Sequence, residues 1–292
     1  MVANRMWLFA SLLIGATALA TGCGDDGGGS PDVGADDGVT PDDGVAPDVT
    51  DESDVPPGPC PTTPHPAVPE MRMAQLTLTS PPAMTGGLFQ GIINTSMIEE
   101  TFIWLIRFQG VGTGSIALTT GSGAKMAGTT CDYRFLAPDY PPETLTMSET
   151  GLDFELSGPP IESLGVAIWA EGDAYPDPPL IVLPLRELDI GGRFEANHLT
   201  VGSYNAGTDE WTDGGNLSGK ITVADARAVP IDALGMSLCG LLSGDTGRPA
   251  DTTDDCVDAR RPWRNMPDTT VGGEDAYSLT GAFSATAVNI VP

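Results

Sequence analysis

The stretch Thr101-Phe-Ile-Trp-Leu-Ile-Arg107 is the most apolar run in the C-terminal part of the chain, and it predicts a buried central β-strand. Around it lie short runs rich in β-branched and aromatic residues, separated by glycine, proline or aspartate. Within Leu152–Leu156, apolar and acidic residues alternate, which indicates a strand with one buried face. Many short strands with turn residues between them predict an all-β body with a β-sandwich or jelly-roll-like arrangement.

The predicted strands share this short, apolar and β-branched character. They lie at Met73–Thr79, Phe89–Asn94, Glu100–Phe108, Ser115–Thr119, Cys131–Leu136, Thr144–Met147, Leu152–Leu156, Val166–Ala170, Ile181–Leu185, His198–Tyr204 and Ala276–Val288. A small helical insertion is predicted near residues 222–243. Thr222, three residues before Asp225, has the spacing of a helix N-cap, and Pro230 ends that helix. Asp232 can cap a second helix, so we expect the insertion to pack on one end or face of the sandwich.

The charge of the chain is strongly negative. Its 292 residues include 40 Asp and Glu against 13 Lys and Arg, a formal net charge of -27. Between Gly24 and Pro59 there are many aspartates but no lysine, arginine or aromatic residue, so this segment cannot form a core and is predicted to be a disordered acidic tether. In a wholly polyproline-like conformation it would reach about 110 Å. Nucleic acid is not an expected partner, because the only basic cluster is Arg260, Arg261 and Arg264.

The N-terminus carries the marks of an export signal. An apolar run from Met6 to Ala20 follows Arg5, and residues 19–23 read Leu-Ala-Thr-Gly-Cys. The run is short for a membrane span of about 20 residues, and small residues precede the cysteine. This leader resembles that of bacterial lipoprotein precursors, which implies cleavage between Gly22 and Cys23 and acylation of Cys23. The alternative is ordinary secretory cleavage, which would leave a protein without an anchor.

The resemblance also implies an address. The low-lysine, glycine- and aspartate-rich composition is similar to that of uncharacterised envelope lipoproteins of myxobacteria and their relatives. Gly24 stands where an aspartate would hold an enteric lipoprotein in the inner membrane, which implies the outer membrane, facing either the periplasm or the cell surface. The expected organisation is a signal peptide at 1–22, the lipidated cysteine and tether at 23–59, and a single β-sandwich domain at 60–292.

Apart from Cys23, the chain has four cysteines, and an exported protein is expected to pair them as disulfides. Of the three connectivities, one joins Cys239 to the nearby Cys256 and Cys60 to Cys131, which would fix the end of the tether to the body. Zinc is the competing interpretation, but no Cys-x-x-Cys pair exists and the two histidines lie at no ligand spacing from any cysteine.

Two acidic regions are candidate binding sites. Trp211 lies in a polar stretch beside Tyr204, Asp209 and Asp213, and an exposed ring flanked by acids would suit sugar stacking. The alternative is a tryptophan folded back to close a hairpin. Further along, four aspartates that could supply oxygen ligands to calcium lie on either side of Cys256. They are Asp251, Asp254, Asp255 and Asp258, for which a solvated loop is the alternative.

The sequence offers little for catalysis. No Gly-x-Ser-x-Gly elbow accompanies His198, and Asp153 with Glu155 is explained by the solvent face of a half-buried strand. We therefore expect a membrane-anchored envelope lipoprotein with a non-catalytic structural or recognition body and no required cofactor. Its partners would be the membrane, through the lipid, and a glycan or another envelope protein. The alternatives are a carbohydrate- or calcium-dependent adhesion module and a glycoside hydrolase-like enzyme that uses carboxylates.

Overall fold

A computed structural model describes Cys60 and residues 68–208, 210–231, 235–244 and 265–292. These residues form mostly strands, so the predicted all-β class is confirmed. The strands are β1 Glu70–Ser80, β2 Trp104–Gln109, β3 Ser115–Lys125, β4 Asp132–Phe135, β5 Glu143–Thr150, β6 Asp153–Leu156, β7 Ile161–Ile168, β8 Ile181–Arg193, β9 Thr200–Val201, β10 Ser203–Asn205, β11 Glu210–Thr212, β12 Gly215–Thr222, β13 Pro230–Ile231, β14 Met236–Ser237, β15 Thr269–Val271, β16 Glu274–Ala287 and β17 Asn289–Ile290. The helices are α1 Gly87–Ile98, α2 Val223–Ala228 and α3 Leu238–Ser243.

The main sheet closes on itself. Antiparallel pairs run in the order β1, β2, β3, β5, β6, β8, β12 and β16, and β16 pairs back with β1. The layers of the sandwich-like body are therefore one continuous sheet. Strands β4, β7, β9 and β15 extend it at its margins. Because closure removes free strand edges, each of these eight strands has a backbone partner on both sides for at least part of its length.

Aromatic side chains fill part of the interior. Phe108, Phe154 and Phe194 meet with ring centroids 4.7 to 5.0 Å apart, and all three are buried. Burying such a ring contributes about 1.5–3 kcal/mol, and edge-to-face contact adds about 1 kcal/mol. As predicted, Phe154 faces this core while its neighbours Asp153 and Glu155 face outward.

The predicted strand Phe89–Asn94 is wrong, because these residues belong to α1. Phe89, Ile93 and Met97 are buried at i, i+4 and i+8, the spacing of one helical face. Gln90 faces the edge of β1, where its Oε1 accepts from the Leu78 amide at 2.9 Å and its Nε2 donates to the Leu76 carbonyl. Strand β2 pairs with β1 only at Glu70–Arg72. Beyond that point, the side-chain amide of Gln90 supplies the hydrogen bonds that a neighbouring strand would otherwise make to β1.

Strand β12 was not predicted, yet it pairs with both β8 and β16. Glycine and polar residues along its length weaken the usual strand signal. The structure explains Gly215, since a Cβ there would come within 2.3 Å of the Phe283 ring. The predicted strand His198–Tyr204 is divided at Gly202, whose φ of +77° suits glycine and separates β9 from β10.

The helical insertion is present within the predicted range. Thr222 caps α2 by accepting from the Asp225 amide at 3.0 Å, and α2 ends before Pro230, as predicted. Helix α3 is capped by Ser237 rather than by Asp232, which lies outside the described residues. Neither these helices nor α1 has the length and apolar character needed to cross a bilayer.

The predicted disulfide between Cys60 and Cys131 is present, with the two Cα atoms 5.8 Å apart. It lies in a second, smaller core on the outer side of the sheet, formed with Ile103, Leu105, Tyr133, Val288 and Ile290. Cys239, which is buried in α3, is also disulfide-bonded. Its predicted partner Cys256 lies outside the described residues.

Candidate functional site

Trp211 lies in a short hairpin made by β10 and β11. It pairs with Tyr204 across the hairpin, and their ring centroids are 5.1 Å apart. Of the two interpretations of Trp211, the exposed ring is wrong, because only 8% of the residue is accessible to solvent. The alternative interpretation, a tryptophan folded back to close a hairpin, describes the observed geometry.

Trp211 nevertheless lines a concavity of about 440 Å³, which we call the Trp211 concavity. The hairpin forms one wall, while β1 and α1 form the other. Besides Trp211, its lining includes Gln75, Asn94, Ile98, Asn205, Glu210 and Thr212. The structure therefore brings together residues that are more than a hundred positions apart in the sequence.

The three amide side chains of this concavity are each held at one end. Gln75 donates through Nε2 to Thr77 Oγ1 at 3.3 Å and to Asp213 Oδ1 at 3.5 Å. Asn94 accepts through Oδ1 from Gln90 Nε2 at 3.1 Å, and Asn205 accepts through Oδ1 from the Gly207 amide at 2.9 Å. Within the described residues, this leaves Gln75 Oε1 and the Nδ2 groups of both asparagines without a partner.

Asp213, a predicted ligand residue, lies beside the Trp211 concavity through its contact with Gln75. Burial raises the pKa of the Asp213 carboxyl, and a hydrogen bond from Thr77 partly opposes this rise. Asp209, the other predicted acid, lies outside the described residues. The predicted group of Trp211, Tyr204 and Asp213 is thus gathered at one place, with Gln75 and Asn94 added from β1 and α1.

A second concavity, of about 520 Å³, lies on the outer face of β6, β8 and β12. We call it the glycine trough because three glycines, Gly191, Gly192 and Gly214, are among its lining residues. The register places Gly191 opposite Asn216 of β12, and Asp153 opposite Arg193. Its charged lining residues are Asp153, Glu155, Asp189 and Arg193.

The carboxylates of the glycine trough differ in their surroundings. Arg193 Nη1 lies 2.8 Å from both oxygens of Asp153, and both of these side chains are about half exposed or more. Burial raises the pKa of Asp189, although a backbone hydrogen bond from Ile190 acts in the opposite direction. Glu155 is exposed. The structure therefore places both acids considered for glycoside hydrolysis in one concavity with a third acid that the sequence did not single out.

Other predicted site residues cannot be placed. Cys23 and the calcium candidates Asp251, Asp254, Asp255 and Asp258 all lie outside the described residues. Within the described ranges, no group of three or more His, Cys, Asp or Glu side chains is arranged to hold a metal ion. The calcium interpretation of the 251–258 segment therefore stays a prediction.

Comparisons with protein-family models, with curated proteins and with solved structures found no match to this chain.

Asn94 was not predicted as a site residue, although the sequence contained a signal for it. Gln90 and Asn94 are four positions apart on a helix whose buried face is marked by Phe89, Ile93 and Met97.

Proposed function

We propose that this chain is a membrane-anchored lipoprotein of the cell envelope, and that its β body is a non-catalytic recognition module. The observation that carries the recognition role is the Trp211 concavity, where amide side chains are held at one end and, among the described residues, have no partner at the other. Ligand-binding sites typically contain a few polar groups in fixed positions, and these groups determine which ligand binds. The partner is a glycan or another envelope protein.

The anchor rests on the leader, where Leu-Ala-Thr-Gly precedes Cys23. One acyl chain holds a protein only marginally, since each buried methylene contributes about 0.8 kcal/mol. The two or three chains expected on a lipoprotein cysteine give durable attachment. The acidic segment from Gly24 to Pro59 would then hold the body away from the headgroups.

Fractionation of cells that express the full chain tests the anchor. We expect the wild type in the membrane fraction and Cys23→Ala in the soluble fraction. Thr21→Ser, which keeps a small residue before the cysteine, is the matched control and should fractionate as the wild type does. Equal membrane association of the wild type and Cys23→Ala, or a mature N-terminus that carries no acyl mass, would contradict the proposal.

A second candidate function is carboxylate-based hydrolysis of a glycoside at the glycine trough. The observation that favours it is the combination of Asp189, whose pKa is raised by burial, with the exposed Glu155 in one concavity. Glycoside hydrolysis uses two carboxyl groups that flank a cleft, one as the acid and the other as the base or nucleophile. The recognition role is preferred because Asp153, one of the two acids that the sequence suggested for hydrolysis, is engaged by Arg193.

A further inference from the structure

We infer that the Trp211 concavity binds a neutral, polyhydroxylated ligand of the saccharide class. The inference rests on the proposed recognition function and adds the chemistry of the ligand. It follows from which hydrogen-bonding groups the concavity leaves unused, from its charge, and from how firmly those groups are held.

The groups that have no partner within the described part of the chain include both donors and acceptors. Gln75 Oε1 and the Glu210 carboxylate accept hydrogen bonds, whereas the Nδ2 groups of Asn94 and Asn205 donate them. Thr212 can do either through its hydroxyl. A ligand that satisfies this mixture must itself carry donors and acceptors close together. Adjacent hydroxyl groups meet that requirement, because each one donates one hydrogen bond and accepts up to two.

The charge of the concavity excludes anionic ligands. Among the described residues that line it there is no lysine or arginine, while Glu210 is part of the wall and Asp213 lies next to Gln75. A phosphate, sulfate or carboxylate group would meet repulsion without a compensating cation. An amine could pair with Glu210, but it offers donors only and would leave the asparagine Nδ2 groups unused.

The walls hold these groups in position before any ligand arrives. Asn94 is joined to Gln90, which is itself bonded to the backbone of β1 at Leu76 and Leu78. Asn205 is fixed by the turn at Gly207, and Gln75 is fixed between Thr77 and Asp213. Side chains that are already ordered lose less conformational entropy on binding, which favours a specific ligand.

The apolar part of the wall also fits a sugar. Trp211 and Ile98 lie in the same concavity as the amides, so one side of a ligand can contact carbon while its edge is hydrogen-bonded. Pyranose rings present such an apolar face, and aromatic side chains are suited to contact it. Because Trp211 is mostly buried, it serves as part of the wall rather than as an open platform.

A glycan array provides the first test. The full mature lipoprotein, kept in a detergent without a sugar headgroup, is applied to an array with neutral, acidic and amine-bearing glycans. We expect binding to neutral glycans. Titration calorimetry with the best-bound neutral glycan then compares variants that remain folded by circular dichroism. Asn94→Ala and Asn205→Ala should each weaken binding about tenfold, the effect of losing one hydrogen bond.

Two further variants complete the design. Asn216→Ala removes an exposed amide in the glycine trough and should leave the affinity unchanged. Glu210→Gln removes a charge but keeps an acceptor, so a neutral sugar should lose less than about threefold in affinity. If instead binding is restricted to amine-bearing glycans and disappears in Glu210→Gln, the ligand class is wrong.

The remaining outcomes separate this inference from the proposed function. Unchanged affinity in both Asn94→Ala and Asn205→Ala would show that the glycan binds elsewhere on the protein, and it would overturn the assignment of the concavity. No binding to any glycan, by protein that still fractionates with membranes through Cys23, would overturn the saccharide inference and leave the anchored lipoprotein standing.

Discussion

The Trp211 concavity and the glycine trough lie on the same closed sheet and are similar in size, yet they present different chemistry. The first is lined by amides that are fixed at one end and by a buried aromatic ring. The second is lined by three carboxylates, Asp153 and Glu155 of β6 and Asp189 of β8, and Asp153 is engaged by Arg193. A fixed amide keeps its other end available, whereas an exposed ion pair satisfies both of its members.

This difference indicates which elements of the fold create the proposed recognition site. The hairpin and α1 are additions to the ring of strands, and together they create the Trp211 concavity. The glycine trough follows from the outward positions of ordinary strands and needs no added element.

The largest effect is expected at Trp211. Trp211→Ala should lower the free energy of unfolding by about 3 kcal/mol, because it removes a buried ring and leaves a cavity. Trp211→Phe should cost clearly less, since the indole Nε1 is buried without a hydrogen-bond partner among the described residues. Asp153→Ala in the glycine trough should cost less than about 1 kcal/mol, as expected for an exposed ion pair. Urea denaturation followed by circular dichroism measures all three, and equal costs at Trp211 and Asp153 would remove the contrast.

The adjacent glycines Gly191 and Gly192 of the glycine trough should differ in how much stability their substitution by alanine costs. A Cβ on Gly192 would lie 2.9 Å from backbone atoms of Gly214 and Gly215 and from the Phe154 ring, so Gly192→Ala should destabilise the protein by about 2 kcal/mol. A Cβ on Gly191 would meet chiefly the side chain of Asn216, at 3.0 Å, which can move aside. Gly191→Ala should therefore cost less than about 1 kcal/mol. The reverse order in thermal unfolding would show that the assignment of inner and outer faces is wrong.

Both regions hold an aspartate whose pKa is raised by burial, Asp213 in one and Asp189 in the other. A folded pKa above the unfolded value of about 3.9 means that stability is lost as the pH rises through the interval between the two values. Asp213→Asn and Asp189→Asn should therefore increase the free energy of unfolding at pH 7, by less than about 1 kcal/mol. The difference from the wild type should close as the pH falls below about 4. Denaturation curves across this pH range measure it, and a gain that persists in acid would exclude ionisation as the cause.

The smallest effect is expected at Glu155, which is exposed on the trough. Glu155→Gln should change the free energy of unfolding by no more than about 0.5 kcal/mol and leave glycan binding at the other concavity intact. Any glycoside hydrolysis by the wild type should be absent or unaffected by the substitution. A hydrolytic activity that Glu155→Gln selectively abolishes, with stability unchanged, would favour the second candidate function.

Much of the fold could be predicted from the sequence because alternation marks half-buried strands. Phe154 between Asp153 and Glu155 is one example. Prediction from this alternation failed where packing or helical spacing, rather than strand alternation, determines which residues are present. In β12, Gly215 makes room for Phe283, so a central strand lacks a strand-like composition. At Phe89–Asn94 the β-branched residues favoured a strand, although the spacing of Phe89, Ile93 and Met97 was helical.

The candidate site was predictable only in part. Trp211 and Asp213 are close in sequence, and their polar surroundings indicated a site. Gln75 and Asn94 could not be added without knowing two facts of long-range structure. The hairpin must approach β1, which a periodic pattern does not encode, and α1 must be recognised as a helix that lies beside that strand.

The bond between Cys60 and Cys131 would have a mechanical consequence in a chain anchored at Cys23 as proposed. A pull transmitted along the chain from Cys23 would reach Cys60 first and pass through one covalent bond to Cys131, next to β4. The load would thus bypass the start of β1 at Glu70. Without the crosslink, the hydrogen-bonded pairs that β1 forms with β2 and β16 could break one after another from that end. The crosslink would therefore shield the first pairings of β1 from a force applied to the chain before Cys60.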